Sequence, residues 1–189
     1  IDLDEKEYAV SDVIYDLSGQ FKQMVNRDQV ELRVSIEDDI PNGLYGDVDK
    51  VKELVTNVFQ RAASTTREGY ISINIDWKKV ERSSLYDEDS TPEYEDIYLD
   101  FTISDTGMGI KEERLDYAFQ LDDSYDREDI GRFDLSVGMA IAKERVERMD
   151  GEIDVKSEYG VSTTIHFYIK QDVVDHRPVN YNKRQKWER

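Results

Sequence analysis

Three segments of this chain alternate apolar and polar residues, which is the pattern of a β-strand that buries only one face. They cover residues 30–36, 71–77 and 98–103, and two further strands are predicted at 152–157 and 163–169. A sheet built from such strands lies with one face against apolar partners and the other against water. The sequence therefore predicts a one-sided sheet that needs a covering layer.

Three amphipathic helices are available to form that layer. Apolar residues recur at helical spacing from residue 11 to about 27, from 47 to 62 and from 137 to 149. Ser11 and Asp47 are placed to act as helix N-caps. Strands that share their core with three such helices predict an α+β fold, a two-layer sandwich with about three helices over one face of the sheet.

The segments outside this pattern divide the chain. Residues 1–10 are interpreted as a linker or an edge strand, the predicted domain spans 11–170, and 171–189 are interpreted as a C-terminal tail or linker. Residues 78–97 are rich in Asp and Glu and predict an acidic hairpin insertion. The polar stretch 111–136 precedes the last predicted helix.

The charge of the chain limits its partners. It carries 43 Asp and Glu residues against 25 Lys and Arg residues, a formal net charge of -18. This charge repels phosphate backbones and anionic lipids, so we expect no binding to nucleic acid and no direct membrane contact. The absence of Cys excludes disulfides and thiolate metal sites and suits a reducing compartment. Since the first residue is Ile1, we expect the chain to be part of a longer protein.

A glycine-containing turn after the strand at 98–103 gives the first indication of function. Asp105 stands at the strand end, and Gly107 and Gly109 follow at alternate positions. Glycines let a backbone turn sharply and approach a ligand where a Cβ would obstruct. A carboxylate in such a turn can accept a hydrogen bond from the exocyclic amine of a planar heterocycle. The turn is therefore a candidate ligand loop, although the same residue types also form ordinary turns.

Other motifs stand before and after this turn. They are Glu53-Leu-Val-Thr-Asn57-Val-Phe-Gln-Arg61-Ala62, Ala118-Phe119 and Asp134-Leu-Ser136-Val-Gly138. With Asp105-Thr-Gly-Met-Gly-Ile110, they resemble the N-box, the F-box and the two glycine boxes of the catalytic and ATP-binding domain of sensor histidine kinases. The resemblance covers roughly residues 8–170. It implies the Bergerat ATP-binding fold shared with gyrase, MutL and the heat-shock chaperone ATPases, in which the sheet is mixed and mostly antiparallel.

The resemblance implies a base end of a nucleotide site. Asp105 would accept the hydrogen bond of the adenine amine of ATP. Gly107, Gly109 and Ile110 would form the turn beside the base, and the hydroxyl of Thr163 would support the base pocket.

The resemblance also implies a phosphate end. Asn57 would help to hold Mg²⁺ on the phosphates, and Gly138 would begin a helix whose N-terminal amides face them. The stretch 111–136 would be the ATP lid, which closes over the triphosphate.

Departures from the family pattern concentrate at the phosphate end. Arg61 stands where the family has a second asparagine, and a guanidinium cannot ligate Mg²⁺. Asp134 and Ser136 replace two glycines of the second glycine box, where a carboxylate repels a triphosphate and a Cβ obstructs close approach. We therefore expect an intact base end, a weak magnesium site at Asn57 and little dependence of nucleotide binding on Mg²⁺.

Two functions remain open on this sequence. In the first, the chain is the ATP-binding domain of a two-component histidine kinase, which transfers the γ-phosphoryl group of ATP to a histidine outside this chain. Arg61 would then bind phosphate bidentately in place of part of the cation. In the second, the domain is catalytically degenerate, binds nucleotide weakly or not at all, and serves signal transmission or partner binding. Neither interpretation assigns a catalytic residue within the chain.

The resemblance implies partners and a location as well. The phosphoaccepting histidine is expected upstream of Ile1, in a dimerising helical hairpin, and His166 and His176 are interpreted as ordinary surface histidines. A response regulator or receiver domain is the expected partner in phosphotransfer. We expect the full-length protein to be a homodimer, either cytoplasmic or a membrane-bound sensor whose cytoplasmic part includes this chain.

Overall fold

The computed structural model describes residues 2–25, 28–81, 95–120 and 130–179, and of residues 130–136 the backbone alone. These residues form seven strands and four helices. In chain order they are β1 (Lys6–Ala9), α1 (Val10–Met24), β2 (Val30–Ile36), β3 (Pro41–Gly46), α2 (Val48–Thr65), β4 (Gly69–Lys79), β5 (Asp96–Asp105), α3 (Glu112–Leu115), α4 (Ile130–Arg148), β6 (Glu152–Glu158) and β7 (Ser162–Pro178).

All seven strands belong to one sheet. Its order is β1-β3-β7-β5-β4-β2, and β6 pairs with β7. The β2–β4 pair is parallel and the other pairs are antiparallel. Strand β7 is long enough for β6 and β3 to pair with successive parts of it. The predicted α+β sandwich with a mixed, mostly antiparallel sheet is confirmed.

The helices and the apolar face of the sheet share one core. Phe21 of α1 stacks on Phe59 of α2 with 3.9 Å between ring centroids, and Phe101 of β5 stacks on Phe167 of β7 at 4.9 Å. Helix α2 lies between α1 and α4 and packs on both. The buried strand residues alternate as predicted: Ile71, Ile73, Ile75, Leu99, Phe101, Ile103, Ile165, Phe167 and Ile169. Each buried side chain of this size stabilises the fold by about 1.5–3 kcal/mol.

Both chain ends contribute strands to the sheet. Of the two alternatives for residues 1–10, a linker or an edge strand, the structure contains the edge strand: Lys6–Ala9 pair with β3, and the backbone N of Asp4 donates to Asp47 Oδ2 at 2.8 Å. The predicted tail at 171–189 begins too early, because β7 continues to Pro178 and its end pairs with β3. Both segments have weak local patterns, and they become strands because β3 offers them a backbone to pair with.

Strand β3 forms where the residue types alone favour a turn. Pro41, Asn42 and Gly43 are common turn residues, but they lie at the start of β3 between β1 and β7. A Cβ on Gly43 would lie 2.5 Å from Asp175 Cβ, so glycine is needed for the close approach of the two strands. Asn42 Oδ1 accepts a hydrogen bond from the backbone N of Ser11 at 3.0 Å. Ser11 is therefore not the predicted N-cap of α1, which begins at Val10.

Helix α4 begins earlier than predicted. The sequence predicts its start near residue 137, whereas α4 runs from Ile130 to Arg148. The end of the predicted lid, 111–136, is consequently helical, and so is the segment aligned with the second glycine box. With Asp134 and Ser136 in place of glycines, this segment has lost the residues that most oppose a helix.

Two other predictions are tested only at their edges. The predicted acidic insertion at 78–97 is flanked by antiparallel pairing up to Lys79 and Ile97, and its residues 82–94 lie outside the described part of the chain. Residues 121–129 of the predicted lid also lie outside it. Among the described residues, no helix has the length and apolar character that crossing a bilayer requires.

His166 lies on the polar face of the sheet between two carboxylates. Its Nε2 is 2.7 Å from Asp100 Oδ2, and its Nδ1 is 3.3 Å from Asp154 Oδ1. Partial burial lowers the pKa of His166, but hydrogen bonds and charges from Asp100 and Asp154 outweigh it, so the net pKa is raised. A raised pKa in the folded state stabilises the fold below the ordinary His pKa of about 6.5 and loses that effect as the pH rises through the folded value.

We expect a His166→Gln variant to lose this pH-dependent part of the stability. The free energy of unfolding of wild type should exceed that of the variant by more at pH 6 than at pH 9. We expect this difference to be at most about 0.5 kcal/mol, because solvent screens a site this exposed. Urea denaturation at both pH values measures this difference. His176→Gln is the control, since it leaves His166 and its contacts with Asp100 and Asp154 in place. Equal pH dependence in wild type and His166→Gln would contradict the assignment.

Candidate functional site

Asp105 ends β5 with its side chain directed into the protein. It is only 2% exposed, as the alternation along β5 requires. Its Oδ1 accepts a hydrogen bond from the backbone N of Gly107 at 2.9 Å, which closes the predicted turn. The carboxylate is thus fixed at the strand end, where the sequence predicts it.

Arg61 occupies the other oxygen of this carboxylate. Its Nη1 donates to Asp105 Oδ2 at 3.1 Å, and its Nη2 donates to Thr163 Oγ1 at 3.2 Å. The side chains of Arg61 and Asp105 are 8% and 1% exposed, so the ion pair is buried. Burial lowers the pKa of Arg61 and the Asp105 carboxylate partly opposes this, but a guanidinium remains charged at neutral pH. Asp105, Thr163 and Arg61 are called the base site below.

This arrangement differs from the sequence interpretation. The active-kinase interpretation made Arg61 a phosphate ligand, and the base end was expected to be intact. The guanidinium instead contacts Asp105 and Thr163, the two side chains assigned to the adenine ring. Arg61, which departs from the family pattern, therefore contacts the base end of the site. At the base end itself, the sequence matches the family pattern.

A chain of hydroxyl groups connects Arg61 to the glycine turn. Thr163 Oγ1 accepts from Arg61 and lies 2.8 Å from Ser157 Oγ. Ser157 Oγ donates to the Ser162 carbonyl at 2.9 Å and accepts from the backbone N of Ile110 at 2.7 Å. Because Ser157 has one hydroxyl proton, Thr163 is the donor between these two residues. Ile110 is thus held from β6, through a serine that the sequence analysis did not single out.

The glycine turn also packs closely on the hairpin between β6 and β7. The backbone N of Gly160 donates to the Met108 carbonyl at 2.6 Å. Gly109 has φ +74°, and a Cβ there would lie 2.5 Å from the Glu158 carbonyl oxygen. Glycine is required at 109 by both its backbone conformation and its surroundings.

Two of the residues predicted for the phosphate end, Asn57 and Gly138, lie close together. A Cβ built on Gly138 would lie 3.8 Å from Asn57 Oδ1, so α2 and α4 bring these positions together. Gly138, however, lies eight residues after the first residue of α4 and does not begin a helix. Its amide is within the range of intrahelical hydrogen bonds, unlike the free amides of a helix N-terminus. The prediction that a helix begins at Gly138 is therefore wrong.

One buried polar group beside the turn has no partner among the described residues. Thr66, the C-cap of α2, is 5% exposed, and its Oγ1 forms no hydrogen bond with any residue that the structure describes. Thr66 Oγ1 and Asp105 Oδ1 both lie within 3 Å of the point where a Gly107 Cβ would be. The position of Thr66 directly after the N-box helix is the signal in the sequence that identifies it.

Comparison with known proteins decides the family. Residues 46–173 match the model of the histidine kinase-, DNA gyrase B-, and HSP90-like ATPase family. The chain belongs to this family.

Relatives of this ATP-binding domain are histidine kinases. It is 29% identical over 170 residues to the peroxide stress-activated histidine kinase mak2 of Schizosaccharomyces pombe, covering 88% of this chain and 7% of that protein. It is 29% identical over 175 residues to hybrid signal transduction histidine kinase L of Dictyostelium discoideum, covering 90% of this chain and 9% of that protein. The chain thus spans under a tenth of either relative.

A solved structure supports the fold. The crystal structure of full-length ShkA in complex with AMPPNP has a TM-score of 0.69 at 15% identity, covering 93% of this chain and 33% of that chain. Together with the family match and the kinase relatives, this makes the chain the ATP-binding domain of a sensor histidine kinase by sequence and fold.

The described residues do not fit ATP with Mg²⁺ in the arrangement observed. Asp105, which the adenine amine requires as an acceptor, already holds Arg61 through Oδ2 and Gly107 through Oδ1. Asn57 offers one amide oxygen to a cation that prefers six oxygen ligands, and the position one helical turn later is Arg61. An adenine amine would therefore share the Asp105 carboxylate with Arg61 and Gly107, or displace the guanidinium.

Proposed function

We propose that this domain serves a sensor histidine kinase as a signal-transmitting module that binds adenine nucleotide weakly, and that it does not itself deliver a phosphoryl group. The observation that supports this proposal is the buried bond between Arg61 and Asp105. An adenine amine gains less from a carboxylate that it shares with a guanidinium than from an unpaired one. Displacing Arg61 from Asp105 would separate two buried charges, which is strongly unfavourable.

The phosphate end supports the same function. Catalysis of phosphoryl transfer depends on positioning the triphosphate and neutralising its charge. Here α4 is already helical at Gly138, so that residue offers no free amide to a phosphate. The guanidinium of Arg61 is turned away to Asp105.

An active kinase is the second candidate function. The proximity of Asn57 and Gly138, and the survival of Asp105, Gly107 and Gly109, favour it. In that case ATP would donate its γ-phosphoryl group to a histidine outside residues 1–189, with Asn57 as a weak magnesium ligand.

The partners follow from either function. We propose that a dimerising phosphoacceptor region precedes residues 1–10, that the protein acts as a homodimer in the cytoplasm, and that a response regulator or receiver domain receives its signal. A relative named as a hybrid signal transduction histidine kinase supports the last of these.

Calorimetric titration with ATP, with and without Mg²⁺, tests the proposed function. We expect wild type to bind ATP at least about tenfold more weakly than Arg61→Asn, because only the variant leaves Asp105 available to the adenine amine. Mg²⁺ should change the wild-type Kd less than about twofold, since Arg61 cannot ligate it.

The control is Arg33→Asn, which removes an exposed arginine of β2 that lies over the Tyr70 ring, away from the base site. Its ATP affinity should equal that of wild type. Tight, Mg²⁺-dependent binding of ATP to wild type would refute the proposal and favour the active kinase.

A further inference from the structure

We propose that the free edge of strand β2 binds a second copy of this chain, so that the two sheets join through an antiparallel β2–β2 pair. This surface lies outside the base site, and the proposal does not depend on the proposed function. Three features of β2 support it: the direction of its backbone groups, its partly exposed apolar side chains and the order of its two charges.

Strand β2 lies at one end of the sheet and, among the described strands, pairs with β4 alone. Just after β2, the backbone N of Glu37 donates to the Ile75 carbonyl at 3.0 Å. Just before β2, the Gln29 carbonyl accepts from the backbone N of Gly69 at 3.0 Å. The N–H and C=O groups of one strand residue point to the same side, and the side alternates along the strand. The even-numbered residues of β2 therefore direct both groups to the free edge.

The apolar side of β2 is incompletely covered. Leu32 and Val34 are half-buried, whereas the residues opposite them in β4, Ile71 and Ile73, are 0% and 4% exposed. An edge strand with unpaired backbone groups is a template for pairing with another strand. A strand added at this edge would cover both side chains.

The two charged residues of β2 complement a second copy of the same strand. Glu31 and Arg33 flank Leu32, and their side chains are exposed. When two such strands pair antiparallel about Leu32, Val30 lies opposite the partner's Val34. Glu31 then lies opposite the partner's Arg33, and the same pair forms again on the other side of Leu32. Opposite charges in directly opposed positions stabilise a sheet.

The neighbouring registers are unfavourable. Moving the centre of the pair from Leu32 to Glu31 or Arg33 places like charges directly opposite each other. A centre between two residues sets the outward groups of one strand against the inward groups of the other, and the ladder hydrogen bonds are lost. The pair about Leu32 has two-fold symmetry, so it closes at a dimer.

Sedimentation equilibrium of the intact chain at about 0.15 M salt tests the proposal. A contact confined to one strand edge is small, so we expect a weak dimer with a Kd on the order of 0.1 mM and no larger species. Glu31→Arg should weaken association at least about tenfold, because it places a positive charge opposite the partner's Arg33. The same change reduces the net negative charge of each copy, so a nonspecific association would become stronger instead.

A mixture of two variants is the matched control. Arg33→Glu alone should also fail to self-associate, because it sets acidic residues opposite each other. Mixed with Glu31→Arg, it should form a dimer with a Kd within about threefold of wild type, since every opposed pair again has opposite charges. Urea denaturation checks that each variant is folded.

A wild-type chain that stays monomeric up to about 1 mM would refute the proposal and leave the edge of β2 to a different extended segment. A dimer that Glu31→Arg leaves unchanged or strengthens would also refute it, because association would then use another surface. Failure of the two folded variants to associate when mixed would show that Glu31 and Arg33 do not face each other across the dimer.

Discussion

An Arg61→Ala variant is expected to be less stable than wild type by about 3 kcal/mol, because removal of one partner of a buried ion pair leaves the other charge unpaired. Asp105 would keep its hydrogen bond from Gly107 but would lose its only described cation. Thr163 would lose the donor to its hydroxyl as well. Urea denaturation measures the loss as a lower midpoint.

A double-mutant cycle distinguishes the loss of the Arg61–Asp105 ion pair from a general loss of packing. Arg61→Ala combined with Asp105→Ala should destabilise less than the sum of the single changes, since the double variant has no unpaired charge. Arg33→Ala, which removes an exposed ion pair with Glu31 and the contact with the Tyr70 ring, should destabilise by no more than about 1 kcal/mol. A loss below about 1 kcal/mol for Arg61→Ala would show that the ion pair does not form in solution.

A Gly109→Ala variant is expected to be destabilised by about 3 kcal/mol or more, because a Cβ at this position meets two obstacles. The first is the positive φ of +74°, which L-residues rarely adopt. The second is the Glu158 carbonyl oxygen, 2.5 Å from the Cβ position, which belongs to backbone and cannot rotate away. The turn after β5 would have to move off the β6–β7 hairpin.

Gly160→Ala separates these two causes. Gly160 has a similar φ of +83°, but nothing lies within 4 Å of its Cβ position. Its replacement should cost only the backbone strain, about 1 kcal/mol. Equal losses for Gly109→Ala and Gly160→Ala, measured by thermal or urea unfolding, would mean that the close packing of the turn is absent.

The success of the strand predictions has a simple physical cause. Alternation over 98–103 reports which side chains face the core, and this depends on residues adjacent in sequence. The same local signal placed Asp105 at a strand end. Strand β3 lacked such a signal, because Pro41 and Gly43 favour turns, and it forms only between two strands from distant parts of the chain. The continuation of β7 to Pro178 depends on β3 in turn.

The direction of the Arg61 side chain was beyond reach of the sequence. Helical periodicity places residue 61 one turn after Asn57, toward the predicted cation, and this position is retained in α2. A long flexible side chain, however, selects among the acceptors around it. The two acceptors that Arg61 contacts are 44 and 102 residues away along the chain.

The sequence by itself determined the layer architecture, the glycine turn with Asp105 and the kinship with histidine kinase ATP-binding domains. Hydrophobic periodicity and turn residues act locally, so they can be recognised without coordinates. Only the tertiary structure decided that the Asp105 carboxylate is paired with Arg61, and that Gly138 lies inside α4. Electrostatic pairing in a buried site depends on distances between elements, and these are set when helices and sheet pack together.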